Sequence, residues 1–442
     1  MPPTPRRRSA SPARGGSPPS AKSPTRSKSP ARHPAIAAKP TRAPPPPPRR
    51  RLLPLLGGAL ALAVGLALQP TRAGSPLWCN ARGINLGTIF TRHGFSLERM
   101  PDLTGRIALV TGANTGLGYE VARQLVFANA TVMMACRELL PCHAAQRAIA
   151  LEAGSIPRSC DPNQGASIHE GRRCHAGFGM VEVLDLNNLT MVAELVADLA
   201  ERPEPYNRVD LLVNNAGVAA QYPLELTGDG VEGTFQANYL GHWHLTTGLL
   251  PLLERGARAT GRRARVVHLT SGAHRGAPAD GVPLTLDGVN DEGIGAYARY
   301  GIAKLASLSF SGELARRHGR FLISHAVHPG VVATDMLRAD NFRATISAVL
   351  GPKGGALLGG AAWAFAQLRN ALFAYPPRTA ALSVLYAAVA PELDDADSPN
   401  AQLIVPIATR WPPHHPKATD AKFAKDLWRF SESLVANALG VP

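Results

Sequence analysis

Residues 103–335 are predicted to form an α/β fold, a doubly wound parallel sheet, and three observations predict it. Short strand-like runs recur at 107–110, 131–136, 180–184, 209–213 and 265–270, the first two almost wholly apolar. Strands with so little polar alternation are buried on both faces, as parallel sheets require. The first run passes through Thr111-Gly112-Ala113-Asn114-Thr115-Gly116-Leu117-Gly118 into a helical stretch from Tyr119 to Phe127, a strand, glycine loop and helix in succession. These features spread over one stretch of roughly 230 residues, so a single domain with additions is expected rather than two or three separate ones.

The first loop suits a phosphate. A strand entering a helix through glycines sets the helix N-terminus, with unpaired amides and partial positive charge, against a pyrophosphate, as in a Rossmann-type sheet. Gly112 permits the sharp turn, Gly116 lets backbone approach the phosphate, and Gly118 lets the helix pack on the sheet. The second strand, 131–136, ends on Arg137, where an acidic residue would bind the ribose hydroxyls of NAD. A guanidinium suits a 2′-phosphate by charge and geometry, so NADP is the expected cofactor, with NAD as the alternative if Arg137 is only a solvated strand end. The strand at 209–213 leads to Asn214-Asn215-Ala216-Gly217, whose small residues let backbone lie under a cofactor. Asn214 reads equally well as a tie between strands.

Further along, Tyr300 and Lys304 stand four apart and share one helix face, an arrangement suited to acid–base work. Free tyrosine titrates near 10, so a nearby ammonium and an oxidised nicotinamide are expected to lower it. Ser271 ends the strand at 265–270, where it can donate to a substrate oxygen, and Asn238 lies in Gly233–His242. Tyr297 has Gly301 four residues on and lacks the lysine partner.

Taken in this order, the glycine loop spaced Gly-x-x-x-Gly-x-Gly, Asn214–Gly217, Asn238, Ser271, Tyr300 and Lys304 resemble the short-chain dehydrogenase/reductase family over roughly residues 103–335. Thr111–Gly118, Ala135-Cys136-Arg137, Asn238–His242 and Lys422–Leu434 are similar to its retinol-dehydrogenase-like and WW-domain-oxidoreductase-like branch, although no WW domain is visible. The resemblance implies an oxidoreductase interconverting an alcohol and a carbonyl. It places Asn114, Thr115 and Leu117 with the glycines at the cofactor, and Asp185-Leu186 beside the adenine. It gives Lys304 a bond to the nicotinamide ribose and Asn238 a water for proton relay. It sets Pro329, Gly330, Val332 and Thr334 at the nicotinamide. Ala303 departs from the serine of many relatives, and the gap from Ser271 to Tyr300, with a loop at 277–295, is long. Residues 336–442 are expected to form a substrate lid and C-terminal helices. The apolar character of 336–373, with Trp363 and Phe365, favours a lipophilic substrate, while a core or membrane-contacting helix is the competing reading. The rival function is a catalytically silent, cofactor-sensing scaffold.

Of the 47 Lys and Arg, thirteen fall in residues 1–51, which hold no Asp or Glu, leaving 34 basic and 32 acidic residues in 52–442. The high pI is thus a property of the tail, and total charge implies no nucleic-acid surface on the folded domain. The tail is rich in Pro, Ser and Arg and expected to be disordered. It repeats Ser-Pro every six residues at Ser11, Ser17, Ser23 and Ser29, a pattern of proline-directed phosphorylation, of weak minor-groove binding or of plain low-complexity sequence.

Residues 52–68 are uncharged and Leu- and Ala-rich behind Arg49-Arg50-Arg51, at the lower limit for spanning a bilayer. A membrane anchor at 52–70, followed by a linker at 71–102, is expected, making the enzyme single-pass and membrane-associated at the endoplasmic reticulum. A mitochondrial or plastid transit sequence and a cleaved signal are the alternatives. Asn129-Ala130-Thr131 is a glycosylation sequon in a helix-to-strand turn, which modification would place in a lumen.

Five cysteines are too few for a disulfide scaffold, and Cys136 is expected as a small core hydrophobe. Cys160 and Cys174, with His169 and His175, lack zinc-ligand spacing, so no metal is expected. A homodimer is compatible with the chain.

Overall fold

The computed structural model describes residues 95–154, 177–221, 223–332, 374–395 and 398–440, within the compact unit Val64–Pro442. It also gives the backbone of two short hairpins, Asn80–Ala81 with Ile84–Asn85 and Ile168–His169 with Arg172–Arg173. The expected tail, the apolar segment 52–68, Cys79, Cys160, Cys174, His175, Thr334 and the lid 336–373 lie outside the described residues. Among the described residues no helix is long and apolar enough to cross a membrane, and no cluster of ligating side chains could hold a metal.

Six strands alternate with helices. They are β1 (Ile107–Thr111), α1 (Gly116–Phe127), β2 (Thr131–Cys136), α2 (Leu139–Gly154), β3 (Phe178–Val183) and α3 (Leu189–Glu201). There follow β4 (Leu211–Asn214), α4 (Gly241–Gly248), α5 (Leu250–Thr260), β5 (Ala264–Leu269), α6 (Ala296–His318) and β6 (Leu322–Val327). The C-terminal part adds α7 (Pro377–Val389), β7 (Leu403–Val405), β8 (Thr409–Trp411) and α8 (Ala421–Leu439). One eight-stranded sheet runs β3-β2-β1-β4-β5-β6-β7-β8, parallel throughout except for the β7–β8 hairpin at one edge. The order reverses between β1 and β4, where ligands bind doubly wound sheets.

The pleat sorts the core into two layers. Ile107 and Leu109 of β1 with Met133 of β2 face a layer built with α3, α4, α6 and α8. Ala108 and Val110 with Val132 and Met134 face the other, built with α1, α2 and α7. Successive strand side chains point to opposite faces, so covering both faces demands the apolar runs that dominate β1 and β2. Helix starts follow local chemistry: Asn188 accepts the amide of Met191 to open α3, and Asp420 accepts those of Lys422 and Phe423 to open α8.

One expectation is corrected here. Cys136 is buried, but it is bonded to Cys142 rather than being a free small hydrophobe. The first turn of α2 folds back over the end of β2 and brings the two Cα atoms to 6.0 Å, within disulfide reach. Asn129 of the sequon is 6% exposed in the fold, and its amide donates to Asp102 Oδ1 at 2.7 Å.

Candidate active site

Because β1 to β6 are parallel, everything that follows their carboxyl ends gathers along one edge. The glycine loop follows β1, Arg137 follows β2, Asp185 and Leu186 follow β3, Asn214–Gly217 end and follow β4, Ser271 follows β5, and Pro329, Gly330 and Val332 follow β6. The fold thus brings these predicted residues to one edge of the sheet, Thr334 alone lying outside the described residues.

The cofactor side fits a dinucleotide. Gly112 and Gly116 hold φ of +64° and +59°, in the left-handed region that costs a side chain energy. A Cβ on Gly118 would meet the Asn215 amide and the Gly112 carbonyl, so only glycine lets α1 seat so close to both. Exposed Thr115 precedes the helix, and no acidic residue stands in its first turn to compete with phosphate. Asn114 and Leu117 are half-buried in the same turn. Asn215 donates to Thr111 O at 2.8 Å and fastens the end of β4 to the loop. Asn214 turns inward instead, donating to Thr246 Oγ1 at 2.8 Å and meeting His268 Nδ1 at 3.1 Å, the geometry of a strand tie.

Arg137 lies two residues beyond Ala135, the register partner of Thr111. Its side chain is 66% exposed, with Glu138 Oε1 3.5 Å away. It is free to turn toward a ligand at the loop. Asp185 Oδ1 caps a turn by accepting the amide of Asn187, and Leu186 packs against Gly241.

On the opposite side, α6 carries Tyr300 and Lys304. Gly301 permits the approach: a Cβ there would fall 2.7 Å from Ala273 O, within the turn Gly272–Gly276 that follows Ser271. Lys304 Nζ donates to Leu269 O at 3.0 Å, and Thr270 Oγ1 donates to Lys304 O at 2.7 Å, so α6 is pinned to the end of β5. Burial pulls Lys304 down to about 8. Burial also pushes the Tyr300 phenol above its ordinary value, partly offset by a hydrogen bond with Ser271. The lowering expected from Lys304 does not offset that burial: the ammonium is 5.6 Å from the ring centroid and engaged by Leu269. Tyr297, without a lysine partner, is exposed.

Asn238 sits in a π-turn, Gln236–Leu240, within the helical run from Gly233 to Gly248. Its amide donates to Val218 O and Thr234 O, and its Oδ1 accepts the amide of Val218, which fastens the loop after Gly217. A buried ion pair, Arg299 with Glu232 at 3.3 Å, braces the rim, since Arg299 also donates to Ile294 O and Gln221 O. Nothing in the motif spacing singled out Arg299. Tyr375 was also missed, since it reaches the site only through folding: its amide donates to Val331 O and its ring covers Gly330, whose φ is +83°.

Comparison with known proteins agrees with this geometry. The family described as short chain dehydrogenase matches residues 172–282. The short-chain dehydrogenase/reductase drtF of Aspergillus calidoustus is 30% identical over 75% of this chain and 94% of its own length. The chain belongs to the short-chain dehydrogenase/reductase family. Retinol dehydrogenase 13 of Homo sapiens is 31% identical over 75% of this chain and 86% of its own, and the match falls in the retinol-dehydrogenase-like branch. The WW domain-containing oxidoreductase of Drosophila melanogaster is 32% identical over 57% of the chain. Among solved structures, an uncharacterized protein from Mycobacterium Paratuberculosis has a TM-score of 0.52 and 27% identity, covering 78% of this chain and 98% of that one. This member of the family is an NAD(P)-dependent oxidoreductase acting on CH–OH groups.

Proposed function

We propose that the protein is an NADP-dependent oxidoreductase that interconverts an alcohol and a ketone or aldehyde on a lipophilic substrate. The observation that carries this reading is the convergence of Ser271, Tyr300 and Lys304 opposite a glycine loop shaped for a dinucleotide. When bound, the nicotinamide supplies or takes up the hydride.

The chain's own residues do the rest. Thr115 and the amides at the start of α1 hold phosphate, Arg137 turns to the 2′-phosphate, and Asp185-Leu186 flank the adenine. Gly330 and Val332 border the nicotinamide, with Thr334 assigned to its carboxamide from sequence. Ser271 donates to the substrate oxygen, and Tyr300 exchanges a proton with it. Burial favours the neutral phenol, the form that donates during carbonyl reduction. In the alcohol-oxidising direction, positive charge from Lys304 and the cofactor would have to outweigh that burial. Lys304 is the group that accepts or supplies the next proton, a task suited to an ammonium near 8. The Asn238 carbonyl would hold a water that carries that proton onward.

The name of the retinol dehydrogenase relative and the apolar stretch 336–373 support a retinoid-, steroid- or lipid-like substrate. The segment 52–68 is our proposed membrane anchor. Protein lacking residues 1–70 is expected in the soluble fraction. It should oxidise NADPH in the presence of all-trans-retinal, a long-chain aldehyde or a steroid ketone. Retention of the truncated chain by membranes would overturn the anchor. NADPH binding without turnover of any of the three would favour the silent scaffold.

A further inference from the structure

His242 stands one helical turn beyond Asn238 and takes no part in the reaction as written above. It is 3% exposed, with Nε2 2.9 Å from Thr111 Oγ1 and Nδ1 3.3 Å from the main-chain oxygen of Asn238. The neighbours decide its tautomer. A carbonyl oxygen only accepts, so Nδ1 carries the proton and Nε2 accepts from the threonine hydroxyl. That hydroxyl already accepts two amides, those of Asn215 and Ala216, each at 2.9 Å. Its own proton is directed to His242, the alternative acceptor Val213 O being farther at 3.4 Å.

The result is one continuous chain of bonds. It starts at the backbone of Asn215 and Ala216 under the cofactor, passes through Thr111 of the glycine-loop strand and the imidazole, and ends on Asn238 O. Ser307 Oγ also lies 3.3 Å from that oxygen, but its single proton has a nearer acceptor in Ala303 O at 3.0 Å. One lone pair of the Asn238 carbonyl is therefore held by His242. A second proton on the imidazole would destroy the acceptor that Thr111 needs. Burial guards against this by pulling His242 down to about 3, with Lys304 acting in the same direction and the Asn238 carbonyl opposing.

We propose that His242 is a positioning residue which registers the Asn238 carbonyl against the dinucleotide loops through Thr111, so that both halves of the site are set by one neutral imidazole. The proposal rests on the reaction assigned above for its kinetic readout and on the hydrogen bonds alone for its spectroscopic one.

The test uses the intact protein saturated with NADP. Long-range ¹H–¹⁵N spectra of labelled histidines, with the His242 signal identified by its loss in His242→Gln, should show the Nδ1–H tautomer unchanged from about pH 5.5 to about pH 8. The other tautomer, or titration in that range, overturns the proposal. Kinetically, His242→Phe should lower kcat at least about tenfold while the NADP dissociation constant moves less than about threefold. His242→Gln, which keeps one donor and one acceptor, should recover most of the loss. Thr111→Val should add little in the His242→Phe background. Equal losses in the Phe and Gln variants, or an effect confined to cofactor affinity, overturn it. A wild-type protein that turns over none of the three carbonyls named above refutes the reaction instead, and the spectra alone then decide for or against the bond chain.

Discussion

Arg137 shows how far a single side chain reaches. Its position was legible because a six-residue, mostly apolar strand ends there, and the structure gives the same bounds, Thr131–Cys136. Exposed and held only at 3.5 Å by Glu138, it can meet a 2′-phosphate at little cost. Replacing it by Asp should remove a charge-assisted bond of roughly 1.5–3 kcal/mol and add repulsion. NADP use is then expected to fall at least about tenfold while NAD use holds or improves. Equal loss of both cofactors in steady-state kinetics would make Arg137 a solvated strand end. Thr111 and His242 stand at the other extreme. Both lie inside quoted motifs, yet their roles depend on where a hydroxyl and an imidazole point across three elements, which spacing along the chain does not encode.

At the scale of elements, the relation between α6 and the turn after β5 decides whether Tyr300 and Ser271 meet. Motif spacing predicted that Tyr300 and Lys304 share a face, since that is fixed by the helix itself. It did not show why a glycine, Gly301, follows Tyr300. The structure does: the helix lies against the backbone of Ala273 and Ala277 at a distance that excludes a Cβ. Gly301→Val should push α6 outward, costing about 1–3 kcal/mol as overpacking does, and lower kcat more than cofactor affinity. Unchanged stability in urea together with unchanged kcat would show that the contact is not a constraint. The Cys136–Cys142 bond was illegible for a related reason, since the fold-back of α2 onto β2 is a tertiary event.

Across the whole molecule the doubly wound parallel sheet followed from buried runs and one glycine loop, whereas the β7–β8 hairpin had no such signal, its strands being only three residues each. The interior also holds imidazoles that burial keeps neutral: His242, His268 and His325 are pulled to about 3 and His328 to about 4. In the unfolded chain they titrate near the ordinary value of 6.5. Between that value and about 3 to 4 the unfolded state binds more protons, so stability is full above 6.5 and is lost as pH falls through this window. Unfolding at about pH 5 should therefore take up protons, and the urea midpoint should drop from about pH 7.5 to about pH 5. No uptake, or a rising midpoint, would mean that these rings are already charged in the fold.

Everything in the functional account converges on the phenol that α6 holds beside Ser271. The most direct test is turnover by Tyr300→Phe, measured alongside NADPH binding, with the carbonyl that the wild-type protein reduces fastest. Loss of the proton donor should lower kcat by at least about a hundredfold, the lower scale of acid–base catalysis, with NADPH affinity essentially kept. Near-normal turnover by the phenylalanine variant would contradict the account.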